Sequence, residues 1–600
     1  ELIDVDYERL DAVVDVTRAT DDDAPTIHEA ADDNVALRWA AGDEDATAEA
    51  FESAADVVEV TLDINQVVAV PMEPRATVAD YRAADGRLEV EVSCQHVFKV
   101  QDDLSAMLGV PEHKVSVSAP DVGGAFGVKI PSYPGTVLPA FASMRLDRPV
   151  KWAATRTESF QASHHSRRHH LTARAAVDED HRIVGLQVDS TANVGAYVTD
   201  GGSFVTSLLV GQRLVGAYDI PNAHVAFTGV FTNTTPLSAY RGAGRPEATY
   251  TIERLVSACA RELGVDPAAF RRRNFGPTDA FPYETAFGDE YDSGDYEGAL
   301  ERALEMADYD AFRERQERAR EEGRYLGLGL SSYIEVCGGS PMWVQGGRVR
   351  VLPSGKVIAA SSLVDNGQAH ETSFAQIVAD ELGVDFEDVD VVQGDTDVAP
   401  EGIGTGGSTA VAMGGNSLKQ SAEAVREQAR AIAAHELEAT EADLEFADGA
   451  FAVVGAPDRS MTLAEVAEAA YAPGLPQELR GLEDTTFFSP AGATTPFGTH
   501  VSTVEVDPET GAIEILRHVA VDDVGNQINP MTLEGQIHGG VVQSVGQAYF
   551  EEATYDENGN LVTGSLQDYA VPKAFDAPEI DWDSTVTPSP NNPLGGKGVG

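Results

Sequence analysis

Five glycine-rich segments that lie far apart in the sequence constrain this chain more than any other feature. They are residues 121–129, 239–245, 366–372, 402–408 and 592–600, and most of them carry an amide or basic side chain beside their glycines. Any one of them alone predicts only a turn, because glycine tolerates positive φ angles. Together they predict one large, flat, phosphate-bearing cofactor that backbone N–H groups approach from several sides.

The net charge limits the surfaces that this chain can bind. It has 98 Asp and Glu residues against 42 Lys and Arg residues, which gives a formal net charge of -56 that is spread along the chain. A dispersed acidic excess with few lysines indicates a halophilic surface, where salt screens the repulsion; an acidic protein of ordinary salt is the alternative. Either surface is expected to repel nucleic acid and anionic membrane lipid, so neither is predicted as a partner.

Cysteine usage and hydropathy indicate a protein of a reducing, aqueous compartment. Cys94, Cys259 and Cys337 are far apart and form no CxxC motif, so the sequence predicts neither a disulfide framework nor an iron–sulfur site. No segment approaches the ~20 apolar residues of a membrane span. We therefore expect a cytoplasmic protein. Because the sequence begins without Met and stops inside a glycine motif, we also expect an internal fragment of a longer protein.

Local patterns predict an α+β fold in two large mixed halves. Residues 57–62 and 88–93 alternate like half-buried strands, and a charged, glycine-poor helical segment at residues 296–324 predicts the linker between the halves. After the loop at Arg241, Pro246 and a regular apolar face predict a helix, which places the glycine turn at a helix N-terminus that favours an anion. Further helices are predicted at residues 373–382 and 417–437, and hairpins at residues 353–355, 508–511 and 558–559.

The order of these motifs resembles the molybdenum-binding large subunit of the xanthine dehydrogenase, aldehyde oxidase and carbon monoxide dehydrogenase family. The resemblance covers nearly the whole chain. It implies two molybdopterin-binding domains that follow the tail of a small hammerhead-like domain. The expected boundaries are residues 1–30 for the tail, 31–295 for the first domain, 296–324 for the linker and 325–600 for the second domain.

In the first half, the resemblance implies three residues that face the reacting centre, namely Gln95, Phe126 and Arg241. An amide such as Gln95 can donate to an oxo ligand without adding charge, and an arginine can stabilise a carboxylate or an oxyanion. The family's loop equivalent to residues 123–127 has a third glycine where this chain has Ala125. The open alternatives are a surface loop for Gln95, plain core for Phe126, and scaffold ion pairs for Arg241. The first-half residues implied to bind the cofactor are Gly123, Gly124, Ala125, Phe126, Gly127, Arg241 and Gly242.

In the second half, the resemblance implies that the segment from Gly367 binds the pterin edge. Ala369 replaces a glycine of the family's motif, and the loop at residues 404–408 lacks the family's arginine, so both contacts are expected to be weaker. Tight packing is the open alternative for Gln543, and the turn at residues 523–530 is interpreted as mostly structural. The second-half residues implied to bind the cofactor are Gly367, Gln368, Ala369, His370, Thr405, Gly406, Gly407, Ser408, Gln543, Gly598 and Gly600.

Histidines suggest a metal site at two places, and the sequence favours it at neither. Four histidines lie within residues 163–170, but no carboxylate or cysteine joins them at a useful spacing and the flanking residues are typical of strands. A lone histidine before a helix, such as His370, is more often a hydrogen-bonding residue. No protein ligand to a metal is predicted, since the family holds molybdenum through the pterin sulfurs.

The resemblance implies an enzyme that hydroxylates an aldehyde or an N-heterocycle with oxygen from water. It implies the cytosine dinucleotide form of molybdopterin, a medium subunit with FAD, a small subunit with [2Fe–2S] clusters, and a dimer of heterotrimers. A catalytic Glu is expected just after Gly600. Two alternatives stay open. One is a non-catalytic homologue that only binds the cofactor. The other is an enzyme like carbon monoxide dehydrogenase that lacks the copper-binding Cys of the loop, since residues 242–244 contain no thiol.

Overall fold

Alternating apolar residues build the central sheet of the first half. The computed structural model describes residues 3–599, so Gly600 and the first two residues of the predicted N-terminal tail lie outside the described residues. The strands of the first half are β1 (Val35–Gly42), β2 (Asp56–Val68), β3 (Ala76–Arg82), β4 (Arg87–Val92), β5 (Val115–Ser118), β6 (Val150–Ala153), β7 (His165–Val177), β8 (Ile183–Gly195), β9 (Ala223–Phe231), β10 (Tyr283–Glu284) and β11 (Glu290–Tyr291).

These strands form two main sheets in the first half. One sheet has the order β1-β9-β8-β7-β2 and is antiparallel except for the pair β8 and β9; the other has the order β5-β4-β3-β6. The helices of this half and of the linker are α1 (Glu44–Ser53), α2 (Val97–Leu108), α3 (Pro134–Leu146), α4 (Arg156–Ala162), α5 (Gly202–Thr206), α6 (Leu208–Gly211), α7 (Arg245–Glu262), α8 (Pro267–Asn274), α9 (Tyr296–Met306) and α10 (Tyr309–Glu321).

The second half repeats this mixture of sheets and helices. Its strands are β12 (Tyr325–Ile334), β13 (Gln345–Val351), β14 (Val357–Ser361), β15 (Val389–Gln393), β16 (Leu444–Ala447), β17 (Ala450–Val453), β18 (Ala456–Thr462), β19 (Glu483–Phe488), β20 (Phe497–Val506), β21 (Ile513–Asp523) and β22 (Ile580–Thr585). Its helices are α11 (His370–Leu382), α12 (Asn416–Glu436), α13 (Leu463–Ala470) and α14 (Pro530–Val545), with π-helical turns at Ala410–Gly415 and Gly546–Phe550. The predicted α+β class is confirmed.

The predicted helices and most predicted hairpins agree with the structure. Helix α7 starts after the Arg241 loop, with Gly244 as its N-cap at a φ of 88°, and its buried residues Ala248, Ile252 and Leu255 pack on the first sheet. The turns at residues 353–355 and 508–511 join antiparallel strands, β13 to β14 and β20 to β21. Two helices, α9 and α10, occupy the predicted linker segment.

The prediction that two strands meet in a hairpin at residues 558–559 was wrong. Only a single bridge, between Tyr555 and Leu561, forms there. The Asp556 carboxylate accepts the backbone N–H groups of Asn558 and Asn560, each at 2.9 Å. Such side-chain bonds to the backbone compete with a strand ladder, so a closed turn replaces the strands.

A buried ion pair joins the two halves. The Arg271 guanidinium on α8 donates to the Glu253 carboxylate on α7 at 2.7 Å, and both side chains are almost fully buried. The same carboxylate accepts the backbone N–H of Ser332 on β12, and Arg271 also donates to the carbonyl of Leu330. These bonds satisfy both charges inside the protein, so the first half is fixed against the first strand of the second half.

No helix in the described part of the chain is long and apolar enough to span a membrane. Most of the histidine-rich segment forms the start of β7, and three of its four imidazoles have separate hydrogen-bond partners. His165 contacts Gln66 and the carbonyl of Phe160, His169 contacts Ser190, and His170 contacts Asp63. Between residues 3 and 599 no group of three or more His, Cys, Asp or Glu side chains is arranged to hold a metal ion.

Burial of these histidines predicts a pH-dependent stability. Burial lowers the pKa of His165 and of His169 to about 4, whereas an unfolded histidine titrates near about 6.5. Between those values the unfolded chain binds more protons, so the free energy of unfolding should fall as the pH is lowered from about 6.5 to about 5.5. Thermal unfolding across this range measures the slope. The His169→Gln variant should show a shallower slope, and an equal slope in both proteins would contradict the assignment.

Candidate active site

The five glycine-rich segments meet at one cavity of about 540 Å³ between the two halves. This volume is typical of a site for a cofactor or a small ligand. Residues from every one of the five segments line it. The predicted site residues on its wall are Gln95, Ala125, Phe126, Gly127, Arg241, Gly242, Gly367, Gln368, His370, Thr405, Gly406, Gly407, Ser408 and Gly598.

Four other predicted residues lie behind this wall. The Gly123 N–H donates to the Glu73 carboxylate at 2.8 Å, and Gly124 packs against the ring of Phe126. Ala369 is the N-cap of α11 with a φ of 60°, a left-handed conformation that is unusual for alanine. Gln543 accepts a hydrogen bond from Arg241. The predicted role of Gly600 lies outside the described residues.

Gln95 is held by both ends of its amide. Its Oε1 accepts the backbone N–H of Gly127 at 3.0 Å, and its Nε2 donates to the carbonyl of Thr405 at 2.9 Å. The residue is buried at 5% exposure, which rules out the open alternative of a surface loop. Because a side-chain amide has two N–H donors, one donor of Nε2 is left beyond the Thr405 bond, at the cavity wall.

The loop that carries Phe126 is packed backbone to backbone against the Arg241 loop. The Arg241 N–H donates to the carbonyl of Phe126 at 2.9 Å. A Cβ on Gly127, whose φ is 104°, would lie 2.6 Å from the carbonyl oxygen of Ala239, so only glycine fits there. Phe126 is 37% exposed, which shows that its ring is not core and instead borders the cavity.

Arg241 brings a positive charge to the cavity wall without an acidic partner. Its guanidinium donates from Nη1 to the Gln543 Oε1 at 3.1 Å and from Nη2 to the Gln536 carbonyl at 2.8 Å. Among the residues that the structure describes, no carboxylate oxygen lies within 4.0 Å of it. Burial lowers the pKa of Arg241 below its ordinary value, yet an arginine of this kind stays charged at neutral pH. The scaffold ion-pair alternative therefore does not fit Arg241.

The other two cations of the wall are neutralised locally. Arg245 Nε lies 3.3 Å from Glu335 Oε1, and Lys597 Nζ lies 3.6 Å from Asp523 Oδ1. Burial raises the pKa of Glu335, and the Arg245 charge opposes that shift. Counting these pairs as neutral leaves the Arg241 charge, so this part of the wall is net positive inside a chain of net charge -56.

Helices begin at this cavity from both halves. The first residues of α7 and α11, the loop before α14 and the π-helical turn that leads into α12 all contribute to its wall. A helix N-terminus carries a partial positive charge and unpaired N–H groups, which favour anions. At α11 this position is filled by the protein itself, because the Asp365 carboxylate accepts the N–H groups of Gly367, Gln368 and His370 at 2.7, 2.8 and 2.8 Å.

The turn that the sequence indicated as mostly structural also lines the cavity. Asn526, Gln527, Ile528 and Asn529 all contribute to the wall. Asn529 caps α14 by accepting the Thr532 N–H at 3.1 Å, and its amide also donates to Gln376. The available signal was a run of amides between a strand and a helix that starts with proline, the arrangement that places polar groups at a helix N-terminus.

Unpaired polar atoms on the wall fit a ligand with its own donors and acceptors. His370 Nε2 and Asn366 Oδ1 are buried and have no hydrogen-bond partner within the described residues. The His370 ring stacks on Phe374, and its Nδ1 lies 3.3 Å from Gln393 Oε1, so its orientation is fixed. A heteroaromatic ring system with amide-like edges would satisfy these atoms, which buried polar groups normally require. The donor set therefore fits a pterin.

Comparison with known proteins gives the same cofactor. Residues 27–275 and 302–578 each match the family described as Molybdopterin cofactor-binding domain. The chain is 37% identical to the Carbon monoxide dehydrogenase large chain of Hydrogenophaga pseudoflava, over 100% of this chain and 78% of that protein. It is 35% identical to the Nicotine 6-hydroxylase large subunit of Paenarthrobacter nicotinovorans, over 100% of this chain and 75% of that protein. It superposes with a TM-score of 0.95 on reconstituted CO dehydrogenase from Oligotropha carboxidovorans at 35% identity, covering 100% of this chain and 78% of that chain.

The Asp365 carboxylate should be a main determinant of the loop that carries Gln368 and His370. Its removal in Asp365→Ala leaves three backbone N–H groups without their charged acceptor, which should lower the free energy of unfolding by about 2 kcal/mol or more. Asp43→Ala is the matched control, since Asp43 caps the exposed helix α1 through one bond to Ala46; it should cost about 1 kcal/mol or less. Urea unfolding of both variants compares them, and equal losses would show that the Asp365 bonds contribute little.

Proposed function

Because this chain belongs to the molybdopterin-binding large-subunit family of carbon monoxide dehydrogenase and xanthine dehydrogenase, we propose that it hydroxylates an aldehyde or an N-heterocycle. It is a molybdenum-dependent oxidoreductase subunit, and the bound cofactor supplies the two-electron redox chemistry. The observation that carries the substrate proposal is the unpaired Arg241 charge at the cavity wall, beside the apolar ring of Phe126. Attack by oxygen on a carbon of a C=O or C=N group moves negative charge onto the carbonyl oxygen or ring nitrogen, and a cation such as Arg241 stabilises that charge.

The chain's own residues then have separate roles. The helix N-termini of α7 and α14 and the backbone of residues 405–409 would hold the anionic part of the cofactor, while Gln368 and His370 would contact the pterin ring. The remaining N–H donor of Gln95 would serve the metal centre, Phe126 would border the substrate, and Arg241 would orient the polar atom of the substrate. We further propose the cytosine dinucleotide form of the cofactor; mild acid hydrolysis of the purified protein should release CMP, and release of no nucleotide would contradict this form.

The two alternative functions make different demands on the same wall. A non-catalytic homologue needs the cofactor contacts but not an unpaired cation beside them. A copper-dependent carbon monoxide oxidation needs a thiolate in the Arg241 loop, and residues 239–245 contain no cysteine. The neighbouring Cys337 is an inadequate substitute, because burial raises the pKa of its thiol to about 12 and leaves it protonated. Copper chemistry is therefore disfavoured, and an enzyme like carbon monoxide dehydrogenase that lacks the copper-binding Cys is tested by including CO among the substrates below.

Electrons from the reaction need an exit from the cavity. We propose an FAD-binding medium subunit and a [2Fe–2S] small subunit as partners, in a cytoplasmic dimer of heterotrimers, as the resemblance implies.

A panel of compounds tests the substrate class directly: nicotine and quinoline for N-heterocycles, benzaldehyde for aldehydes, and CO, each with a dye as electron acceptor. Turnover of an N-heterocycle or an aldehyde supports the proposal, and turnover of CO alone contradicts it.

Replacement of Arg241 should separate turnover from cofactor binding. Arg241→Met keeps much of the side-chain length but removes the charge and its hydrogen bonds, so kcat/KM should fall by more than about tenfold. The molybdenum content, measured by inductively coupled plasma mass spectrometry, should stay near that of the unmodified protein because the helix N-termini hold the cofactor. Unchanged kinetics would remove Arg241 from the substrate pocket, and loss of molybdenum would assign it to the cofactor instead.

We also propose that the protein works at high salt. Mutual repulsion among 98 acidic side chains, opposed by 42 basic ones, should be screened as the Debye length falls from about 10 Å at 0.1 M to about 3 Å at 1 M salt. The Tm should therefore rise steadily when KCl is raised over this range. Sucrose at matched osmolality is the control for water activity. A Tm that is constant or falls with KCl would indicate an acidic protein of ordinary salt.

A further inference from the structure

The histidine-rich segment of β7 contains two adjacent arginines with an unusual backbone. Arg167 and Arg168 have φ angles of 74° and 54°, in the left-handed region that long side chains rarely adopt. Such strain persists only where the surrounding structure enforces it, and it is concentrated at functional sites. It sends the two side chains to different places: Arg168 is 25% exposed beside Asp63, whereas the Arg167 side chain is only 4% exposed.

The buried Arg167 guanidinium reaches the loop that carries Arg241. Its Nη2 donates to the carbonyl oxygen of Arg241 at 2.6 Å, and its Nη1 lies 3.4 Å from the carbonyl oxygen of Tyr240. The guanidinium carbon also lies 5.1 Å from the centre of the Tyr240 ring, within cation–π range. Three contacts from one side chain therefore fix the backbone on which Arg241 is mounted.

The remaining donors of Arg167 fasten the same loop to two helices. Nη1 lies 3.3 Å from Glu247 Oε2 in the first turn of α7, and Nε donates to Gln547 Oε1 just after α14, also at 3.3 Å. Gln547 is four residues beyond Gln543, the partner of Arg241, so the two amides occupy one side of this helical stretch. The two arginines thus hold neighbouring amides, and Glu247 neutralises the charge of Arg167.

We propose that Arg167 is a positioning residue that aims the Arg241 side chain into the cavity. The proposal deepens the proposed function, because it concerns the residue assigned there to the substrate. Arg167 does not bind a ligand itself, since its charge is paired and its donors point at protein acceptors. This role requires the planar guanidinium of Arg167, because a single lysine ammonium group cannot contact the Arg241 carbonyl, Glu247 and Gln547 at the same time.

Chemical modification tests this geometry without any substrate. Phenylglyoxal reacts with accessible arginines, and mass spectrometry of the full-length, cofactor-loaded protein gives the modification rate of Arg241. The rate should rise by about fivefold or more in Arg167→Met, with an intermediate rise in Arg167→Lys. Arg168→Met is the matched control, since this neighbour shares the strained backbone and leaves the Arg241 loop untouched. Arg271, which is fully buried elsewhere, reports any global opening and should stay unmodified in every variant.

A double-mutant cycle tests the functional coupling. With the compound that the substrate panel identifies, Arg167→Met should lower kcat/KM by about tenfold, and the pair Arg167→Met with Arg241→Met should lose no more than Arg241→Met alone, within about twofold. Arg168→Met should leave kcat/KM unchanged. Additive losses, or an unchanged Arg241 modification rate in Arg167→Met, would overturn the proposal. If no compound is turned over by the unmodified protein, the proposed function fails while the modification rates still decide the role of Arg167.

Discussion

The structure depends on keeping one positive charge unpaired at the wall of a cavity inside a strongly acidic protein. Arg241 is held by amide and carbonyl oxygens, and the nearby cations Arg245 and Lys597 are each paired with an acid. Helix N-termini from both halves add partial positive charge at the same place. An anionic cofactor or an electron-rich reacting group is the natural complement of such a wall, and the surrounding acidic surface makes the contrast in potential larger.

Keeping this wall in place requires long-range connections that fix the halves rigidly. The Glu253 and Arg271 pair joins α7 and α8 to β12, and Gln95 connects the loop of Gly127 to the loop of Thr405 in the other half. Both connections are buried and hydrogen-bonded to each of the elements that they join, which makes them costly to break one partner at a time. The cavity is therefore a property of the junction, and neither half could form it alone.

The helices and most strands could be predicted from the sequence, whereas the contacts between them could not. Helix α7 and the glycine turn before it followed from Pro246 and the apolar spacing, because those are local signals. The wall formed by Asn526 and its neighbours did not, since a turn rich in amides looks the same whether it faces solvent or a cavity. The role of Asp365 depended on where its carboxylate pointed within its own loop, a matter of backbone geometry that residue type does not fix. The domain boundaries and the roles of individual site residues stay predictions.

The residues that hold Arg241 and Arg167 show how the positive charge of Arg241 stays unpaired. Gln543 offers its side-chain oxygen to Arg241 and Gln547 offers its own to Arg167, while Gln536 accepts from Arg241 through its backbone carbonyl; all three lie on α14 or on the turn that follows it. In a chain where acidic residues outnumber basic ones by more than two to one, a glutamate at such a position would be unremarkable on the surface. A carboxylate beside Arg241 would cancel the charge of this guanidinium, whereas a neutral amide orients the guanidinium and leaves its charge available to the ligand. The amides of α14 and of the turn after it therefore orient the guanidinium groups, while the helix N-termini and Arg241 provide the positive potential of the wall.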